Sequence, residues 1–231
     1  MKLLLCIDTA GSRCAVALCD LASGDILAQA EPDIGRGHAE VLMGLVEELL
    51  AANSAHYSDV GKIAVVVGPG SFTGLRVGVA AAKGLALALA IPAIGISSLE
   101  VLAEPHWAGD LPVLSVIDAK RGEVYAALYA PGGGVLHAPE AVAPDDLRGF
   151  VGDTPALLAV GTGAAIAADT LGSRVFVTVD PDGQTGLGAL ARLGIRHVIS
   201  GGVKPLYLRG ADAKPQAATG ILHVQAAAIL P

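Results

Sequence analysis

The sequence predicts an α/β protein of two similar lobes, each a mixed sheet flanked by helices. Apolar strands alternate with amphipathic helices, the order of these elements is the same in both halves of the chain, and the first strand of each half ends in Ile-Asp. These three observations indicate a duplicated unit. We place the lobes at residues 1–104 and 105–231, and we expect the second lobe to be the smaller and degenerate one.

The first lobe opens with three short strands and continues with two helices that alternate with two strands. Turn residues at 11–12 and 23–24 separate the opening strands. Six large aliphatic side chains recur on one stripe of the first helix, which is typical of a helix that packs on a sheet. The predicted strands are 2–8, 13–19, 25–31, 63–67 and 93–97, and the predicted helices are 38–53 and 73–90.

The second half repeats this order. A gapless offset of 110 residues pairs Asp8 with Asp118 and the Ala-Leu pair at 17–18 with that at 127–128. Chance matching is the alternative in a sequence this rich in Ala and Leu. The predicted strands are 111–118, 123–130, 156–160 and 175–179, and the predicted helices are 144–151, 164–171 and 185–193. A duplicated unit of this order describes the actin-like ATPase (ribonuclease H-like) fold, in which both aspartates face the cleft between the lobes.

Composition restricts the function. The net charge of −7 argues against independent binding to nucleic acid, because basic side chains supply most of the affinity for phosphates. Asp8 ends the N-terminal apolar run too early for a signal peptide, and Pro and Gly interrupt the uncharged runs 84–99 and 215–231. We therefore expect a cytoplasmic protein with no membrane span. Three cysteines without CxxC spacing predict buried, reduced thiols.

The most informative motif is GPGSFTGLRVG at residues 68–78. It predicts a strand, a glycine turn and a helix start with Thr73 as N-cap, and such a helix start can receive a phosphate. It is not a Walker A loop, since Leu-Arg follows the last glycine of GPGSFTG, and it is not a dinucleotide fingerprint, since it follows the fourth strand. Nor is Ser71 in a GxSxG elbow, because residue 69 is proline.

The string 68–78, with its companions along the chain, resembles the TsaB (YeaZ) family. The companions are Ile-Asp-Thr at 7–9, His38, KGLA at 83–86, IPAIGISSL at 91–99, IDAKRGEVY at 117–125 and PLYLR at 205–209. The matches span most of residues 1–130 and reappear at 204–209.

The resemblance implies a non-catalytic platform subunit. It implies a heterodimer with the paralogous subunit TsaD, association with the ATPase TsaE, and a homodimer when the chain is alone. That assembly transfers a threonylcarbamoyl group to the adenosine next to the anticodon of tRNAs that read codons beginning with A, and this chain would meet tRNA indirectly. No tightly bound cofactor is expected, and ATP or ADP only within the assembly.

No catalytic residue and no metal ligand is expected. None of the six histidines lies four residues from another, so a His-x-x-x-His pair is absent from the sequence. A residual nucleotide or phosphate loop is one interpretation of a set of polar and glycine residues, and aspartates that only form turns are the other. The set comprises Asp8, Thr9, Gly68, Gly70, Ser71, Thr73 and Asp118.

A partner surface is predicted on the two helices of the first lobe. Small residues on the second helix would let another helix approach closely, and the stripe of the first helix would extend the contact. The alternative is that both stripes are consumed inside the chain. The predicted contacts are His38, Val41, Leu42, Leu45, Gly74, Arg76, Val77, Gly78, Ala81 and Ala82.

Two rival functions stay open from the sequence. The first is an autonomous ATP-dependent small-molecule kinase of the actin-like superfamily. The second is a glycoprotease-like metallopeptidase, which the histidine spacing disfavours.

Overall fold

Two five-stranded sheets form the framework, with the same strand order in each. The computed structural model describes residues 2–178, 186–198 and 202–209. The first sheet, in the order β3-β2-β1-β4-β5, contains β1 (Leu3–Asp8), β2 (Ala15–Asp20), β3 (Ile26–Ala30), β4 (Val60–Gly68) and β5 (Ala93–Ser97). The second, in the order β8-β7-β6-β9-β10, contains β6 (Val113–Asp118), β7 (Val124–Tyr129), β8 (Val135–Val142), β9 (Leu157–Val160) and β10 (Val175–Thr178).

Six helices are described. The helices α1 (His38–Ala52) and α2 (Phe72–Leu89) belong to the first lobe, α3 (Ser98–Ala103) follows β5, and α4 (Leu147–Val151), α5 (Ala164–Leu171) and α6 (Leu187–Arg196) come later in the chain. The predicted fold class is confirmed, and most predicted bounds agree within two residues. The predicted strand end at residue 179 and the predicted helix start at residue 185 lie outside the described residues. Helix α6 begins at Leu187.

Strand β1 is buried on both faces, which explains its continuous apolar sequence. Because side chains alternate along a strand, Leu3, Leu5 and Ile7 join the cluster that α1 and α2 cover. Leu4 and Cys6 point to the opposite face and join the cluster that contains residues of α3 and α6.

Helix α6 packs on the first sheet although it follows the second in the chain. A Cβ built on Gly194 would lie 2.7 Å from Cβ of Ala64 in β4, so glycine is required for this close approach. Helix α3 contacts strands of both sheets. The lobe boundary at residues 104 and 105 stays a prediction. Helices after residue 105 pack on both sheets, α6 on the first and α5 on the second.

The internal repeat is present, with one correction to its alignment. Strand β1 pairs Cys6 with Ala17, and β6 pairs the equivalent Val116 with Ala126 rather than Ala127. Residues 9–14 form the turn between Asp8 and its partner residue 15, whereas the shorter 119–123 forms the turn after Asp118. The gapless offset of 110 is therefore right for the first strands and wrong by one residue for the second.

Two elements had no predicted bounds, and one helix cap was misplaced. Strand β8 is an exposed edge strand and α3 a short helix, and neither had a sequence-based boundary. The N-cap of α2 is Ser71 rather than Thr73, since the Ser71 hydroxyl accepts a hydrogen bond from the Gly74 amide at 3.3 Å.

By length and composition α2 could cross a membrane, the single such helix in the part of the chain that the structure describes. It packs along β4 and β1, however, and buries Leu75 and Val79 there. These contacts make α2 a layer helix of this fold, although apolar side chains on its outer face remain accessible, among them the 86% exposed Leu87.

Candidate functional site

The glycine motif and the end of β1 form one tightly packed corner. The Ser71 amide donates a hydrogen bond to the Ala10 carbonyl at 2.7 Å, and the Thr9 hydroxyl donates to the Gly74 carbonyl at 2.7 Å. A Cβ built on Gly70 would lie 2.6 Å from the Ala10 carbonyl oxygen. The glycines of the motif therefore serve a close approach between two loops of this chain.

Asp8 lies at the base of this corner and is buried. Its Oδ1 accepts a hydrogen bond from the Ala10 amide at 2.8 Å. Burial raises the pKa of Asp8 to about 6, the Ala10 hydrogen bond opposes this shift, and Glu31 adds to it. The environment of the Asp8 carboxyl group thus disfavours its charged form.

Asp118 occupies the equivalent place on the second sheet with the opposite character. It is partly exposed, and Lys120 donates to it through both the side chain and the backbone amide, each at 2.7 Å. These hydrogen bonds lower the pKa of Asp118. Its own amide donates to the Thr162 hydroxyl at 3.0 Å, which ties β6 to the loop before α5.

The predicted phosphate-loop residues thus fall into three places. Asp8, Thr9, Gly70 and Ser71 meet in the corner, Asp118 lies on the other sheet, and Thr73 is exposed on α2. Gly68 has a φ of 113° and a Cβ there would lie 3.1 Å from the Leu206 carbonyl oxygen. Nucleotide binding by this set stays a prediction.

An open apolar groove lies between α1 and α2. Its volume is about 470 Å³. Nearly all of its lining atoms belong to small or apolar side chains, with Arg76 at one end. The lining residues are Ala39, Leu42, Met43, Phe72, Thr73, Arg76, Val77, Ala80 and Ala81.

The predicted partner contacts divide by exposure, and only Leu42, Arg76, Val77 and Ala81 among them line the groove. Val41, Leu45, Arg76, Val77 and Ala81 retain accessible surface. The other five face inward and are buried; they are His38, Leu42, Gly74, Gly78 and Ala82.

The inward-facing residues correct the physical reason given for the partner surface. Gly74 and Gly78 lie against Thr9, because a Cβ on either would overlap its atoms. Gly74 and Gly78 therefore allow close approach of the end of β1 and of Thr9, which follows it, rather than of a partner's helix. His38 is likewise internal, with Nε2 3.2 Å from the Arg13 carbonyl oxygen.

Sequence reasoning predicted Arg76 but missed its neighbours in the groove wall, namely Ala39, Met43, Phe72 and Ala80. Phe72, Arg76 and Ala80 are spaced four apart, as are Ala39 and Met43 on α1, so each set lies on one row. The spacing was visible in the sequence. The sequence does not show which row of each helix faces the sheet.

Within residues 2–178, 186–198 and 202–209, no group of three or more His, Cys, Asp or Glu side chains is placed to hold a metal ion. The three cysteines are free and buried, as predicted. The thiols of Cys6 and Cys19 are hydrogen-bond partners, and this contact together with burial raises the pKa of Cys6.

Comparison with known proteins identifies relatives of this arrangement. The family model described as "TsaD: tRNA N6-adenosine threonylcarbamoyltransferase" matches residues 32–155. A protein of Escherichia coli (strain K12) named tRNA threonylcarbamoyladenosine biosynthesis protein TsaB is 39% identical over 140 residues, 59% of this chain and 59% of the relative. Its namesake in Bacillus subtilis (strain 168) is 38% identical over 142 residues and 60% of its length. The matched part of the chain thus spans about three fifths of the length of these two relatives.

Longer matches extend over the second lobe. An uncharacterized protein of Mycobacterium tuberculosis (strain ATCC 25618 / H37Rv) is 33% identical over 218 residues, 93% of this chain and 95% of the relative. A crystal structure from Pseudomonas aeruginosa, described as an uncharacterized protein with similarity to peptidase YEAZ, covers 90% of this chain and 100% of its own at 28% identity and a TM-score of 0.75. The structure "YeaZ from Pseudomonas aeruginosa" covers 84% of this chain and 91% of its own at 27% identity and a TM-score of 0.69.

Proposed function

The chain belongs to the TsaD-like family and, within it, to the TsaB (YeaZ) group, and on that premise we propose that it is a non-catalytic platform subunit in tRNA threonylcarbamoylation. Its partners would be a TsaD-type subunit and TsaE, with tRNA met only through the assembly and a homodimer formed when the chain is alone. The threonylcarbamoyl group would go to the adenosine next to the anticodon of tRNAs that read A-starting codons. Such an assembly would work in the cytoplasm.

The observation that carries this proposal is the open apolar groove between α1 and α2, on a chain whose relatives bear the name of this biosynthesis. Exposed apolar surface that is contiguous rather than scattered is typical of a protein contact. Phe72 is 50% exposed at one end of the groove and Met43 is 36% exposed within it, and both are side chains that interfaces favour.

The crowded corner supports the part of the proposal that concerns cofactors. We propose that the lone chain holds no nucleotide tightly, because groups of the chain itself occupy the motif. The Ala10 carbonyl accepts the Ser71 amide, and the Leu206 carbonyl lies over Gly68. A phosphate would have to displace these oxygen atoms and would bring its own negative charge toward Asp8. Calorimetric titration with Mg-ATP tests this point, and micromolar binding with turnover would instead favour an autonomous kinase.

The decisive test of the function is depletion of the protein in cells, followed by mass spectrometry of tRNA nucleosides. The threonylcarbamoyladenosine content should fall and should recover when the intact gene is restored. Unchanged threonylcarbamoyladenosine after depletion would overturn the proposal.

The groove is tested separately by one added side chain. Ala80 is exposed and lines the groove, so Ala80→Arg places a charged side chain there without disturbing the core. We expect the affinity for a purified TsaD-type subunit to weaken at least about tenfold, which is about 1.4 kcal/mol. Ala165→Arg on exposed α5 of the second lobe is the matched control. Equal affinity of the two variants would place the contact elsewhere.

A further inference from the structure

A short segment after α6 crosses from the first sheet to the second. It comprises residues 203–209, and it begins with Val203, which is buried against the first sheet. A Cβ built on Gly95 of β5 would lie 3.6 Å from Val203. The segment contains the PLYLR motif, for which the functions considered above provide no role.

The segment is anchored on the first lobe at the glycine motif. The Leu206 amide donates a hydrogen bond to the Val67 carbonyl at 2.7 Å. The Tyr207 ring lies 5.3 Å from the ring of Phe72, centroid to centroid, and its hydroxyl accepts a hydrogen bond from Arg76 Nε at 3.1 Å. Arg76 in turn stacks on Phe72, with its Cζ 3.9 Å from the ring centroid.

A second anchor lies on the turn between β6 and β7. Arg209 forms an ion pair and hydrogen bond with Glu123, and its Cζ lies 5.9 Å from the centroid of the Tyr125 ring. Between the two anchors, Leu208 packs against the apolar cluster that both lobes share, as do Ala10 and Ile117. One anchor combines stacking with a hydrogen bond, and the other combines an ion pair with a ring contact.

The two anchors lie on different lobes, next to the residues that follow β1 and β6. Ala10 follows Asp8 at the end of β1, Ile117 precedes Asp118 at the end of β6, and Glu123 lies in the turn after Asp118. The segment therefore contacts residues near the ends of β1 and β6, one strand in each sheet. Separation of the lobes here would break either the Tyr207 contacts or the Arg209 contacts.

We propose that residues 203–209 form a strap that latches the two lobes together near the ends of β1 and β6 and fixes the angle between them. It would also preorganise the α1–α2 groove, since Phe72 and Arg76 belong both to the strap's anchor and to the groove wall. The latch is a property of the lone chain, so its failure would leave the proposed function in tRNA modification untouched.

The angle between the lobes is measurable with two spin labels. Ala51 on α1 and Ala165 on α5 are exposed, whereas the three native cysteines are buried, so Ala51→Cys with Ala165→Cys gives selective labelling. Pulsed electron resonance then reports the distribution of the label-to-label distance. We expect one narrow distribution for the parent and, for Arg209→Glu, a distribution at least about twice as wide, because two carboxylates would repel at the anchor.

Three further variants decide the outcome. Glu123→Arg combined with Arg209→Glu should narrow the distance distribution again, because the ion pair is restored with its charges exchanged. Tyr207→Ala should broaden the distribution, because it removes the contacts with Phe72 and Arg76 at the first anchor. Arg174→Glu is the control, since Arg174 donates to the Gly152 carbonyl within the second lobe. A parent-like width in both Arg209→Glu and Tyr207→Ala, or equal broadening by Arg174→Glu, would overturn the latch.

Discussion

The two lobes share one strand order, yet the aspartates at the ends of their first strands have opposite environments. Asp8 is buried with a pKa raised to about 6, mainly by burial, whereas Asp118 is partly exposed with a pKa lowered by Lys120. The surrounding glycines behave alike, since Gly70 approaches Ala10 and Gly161 approaches the Val116 carbonyl oxygen. The repeat has thus kept its backbone geometry while the polarity of the equivalent site has diverged.

The helices diverge in the same direction. In the first lobe α1 and α2 have 15 and 18 residues, but their counterparts α4 and α5 have only 5 and 8. In α1 and α2 one row of side chains packs on the first sheet, and the neighbouring rows stay accessible. These accessible rows line the groove between the two helices. One copy of the repeat thus carries an exposed docking surface, while the other serves as a support.

The largest expected effect concerns the glycine row of α2. Gly74→Ala would push a methyl group into the Thr9 carbonyl, which is backbone and cannot rotate away. We expect the free energy of unfolding to fall by about 4 kcal/mol. Gly84→Ala is the matched control on the same helix, because nothing lies within 4 Å of its added Cβ. There we expect a gain of about 0.5–1 kcal/mol, and urea unfolding measures both.

The same substitution in the second lobe extends the comparison. A Cβ on Gly163 would lie 2.6 Å from a methyl group of Val116 and 3.2 Å from the Asp118 amide nitrogen. A side-chain methyl can shift, so Gly163→Ala should cost less than Gly74→Ala, about 1–3 kcal/mol. A Gly74→Ala protein as stable as the parent would contradict the packing of the motif against β1.

Much of this framework could be predicted from sequence, because buried strands and an internal repeat leave strong patterns. The Ile-Asp pairs at 7–8 and 117–118 marked the ends of β1 and β6 correctly. The one-residue difference between the two turns was not predictable. The gapless alignment matches Ala17 and Leu18 with the identical pair Ala127 and Leu128, whereas strand pairing shifts the second strand by one residue. A sequence rich in alanine carries little information on register.

The site was predicted less well because more than one row of α2 carries small or apolar residues. Gly74, Gly78 and Ala82 have the spacing of a surface for close contact with another helix. They are buried within the chain instead, where both glycines lie against Thr9. Only the position of Thr9 in space decides which row is buried. The strap was equally hidden, since the pairing of Arg209 with Glu123 joins residues 86 positions apart.

The pH dependence of stability should differ between the two aspartates. Asp8 in the folded chain keeps its proton up to about pH 6, whereas the unfolded chain releases it near 3.8. The contribution of Asp8 to the free energy of unfolding is therefore fully present below pH 3.8 and is lost as the pH rises through about 6. The difference of about two pKa units corresponds to about 3 kcal/mol. Asp8→Asn should remove this loss, which urea unfolding at pH 4 and pH 7 measures.

Asp118 has the opposite sign. Its pKa is lowered in the folded chain, so its contribution is present above the unfolded value and is lost as the pH falls below it. Asp118→Asn should therefore lower stability at pH 7, with a smaller effect than Asp8→Asn because Asp118 is partly exposed. The same slope with pH in both variants would contradict the contrast between the lobes.

The smallest effect on stability is expected at exposed apolar side chains, where the lobes should differ only in binding. Met43 lines the groove and is 36% exposed, while Val135 on the edge strand β8 is 62% exposed. Met43→Ser and Val135→Ser should each change the free energy of unfolding by no more than about 0.5 kcal/mol. Only Met43→Ser should weaken binding to a TsaD-type subunit, since it removes apolar surface from the groove. If Val135→Ser weakens that binding as much, the second lobe carries interface too, and the division between a docking lobe and a supporting lobe is wrong.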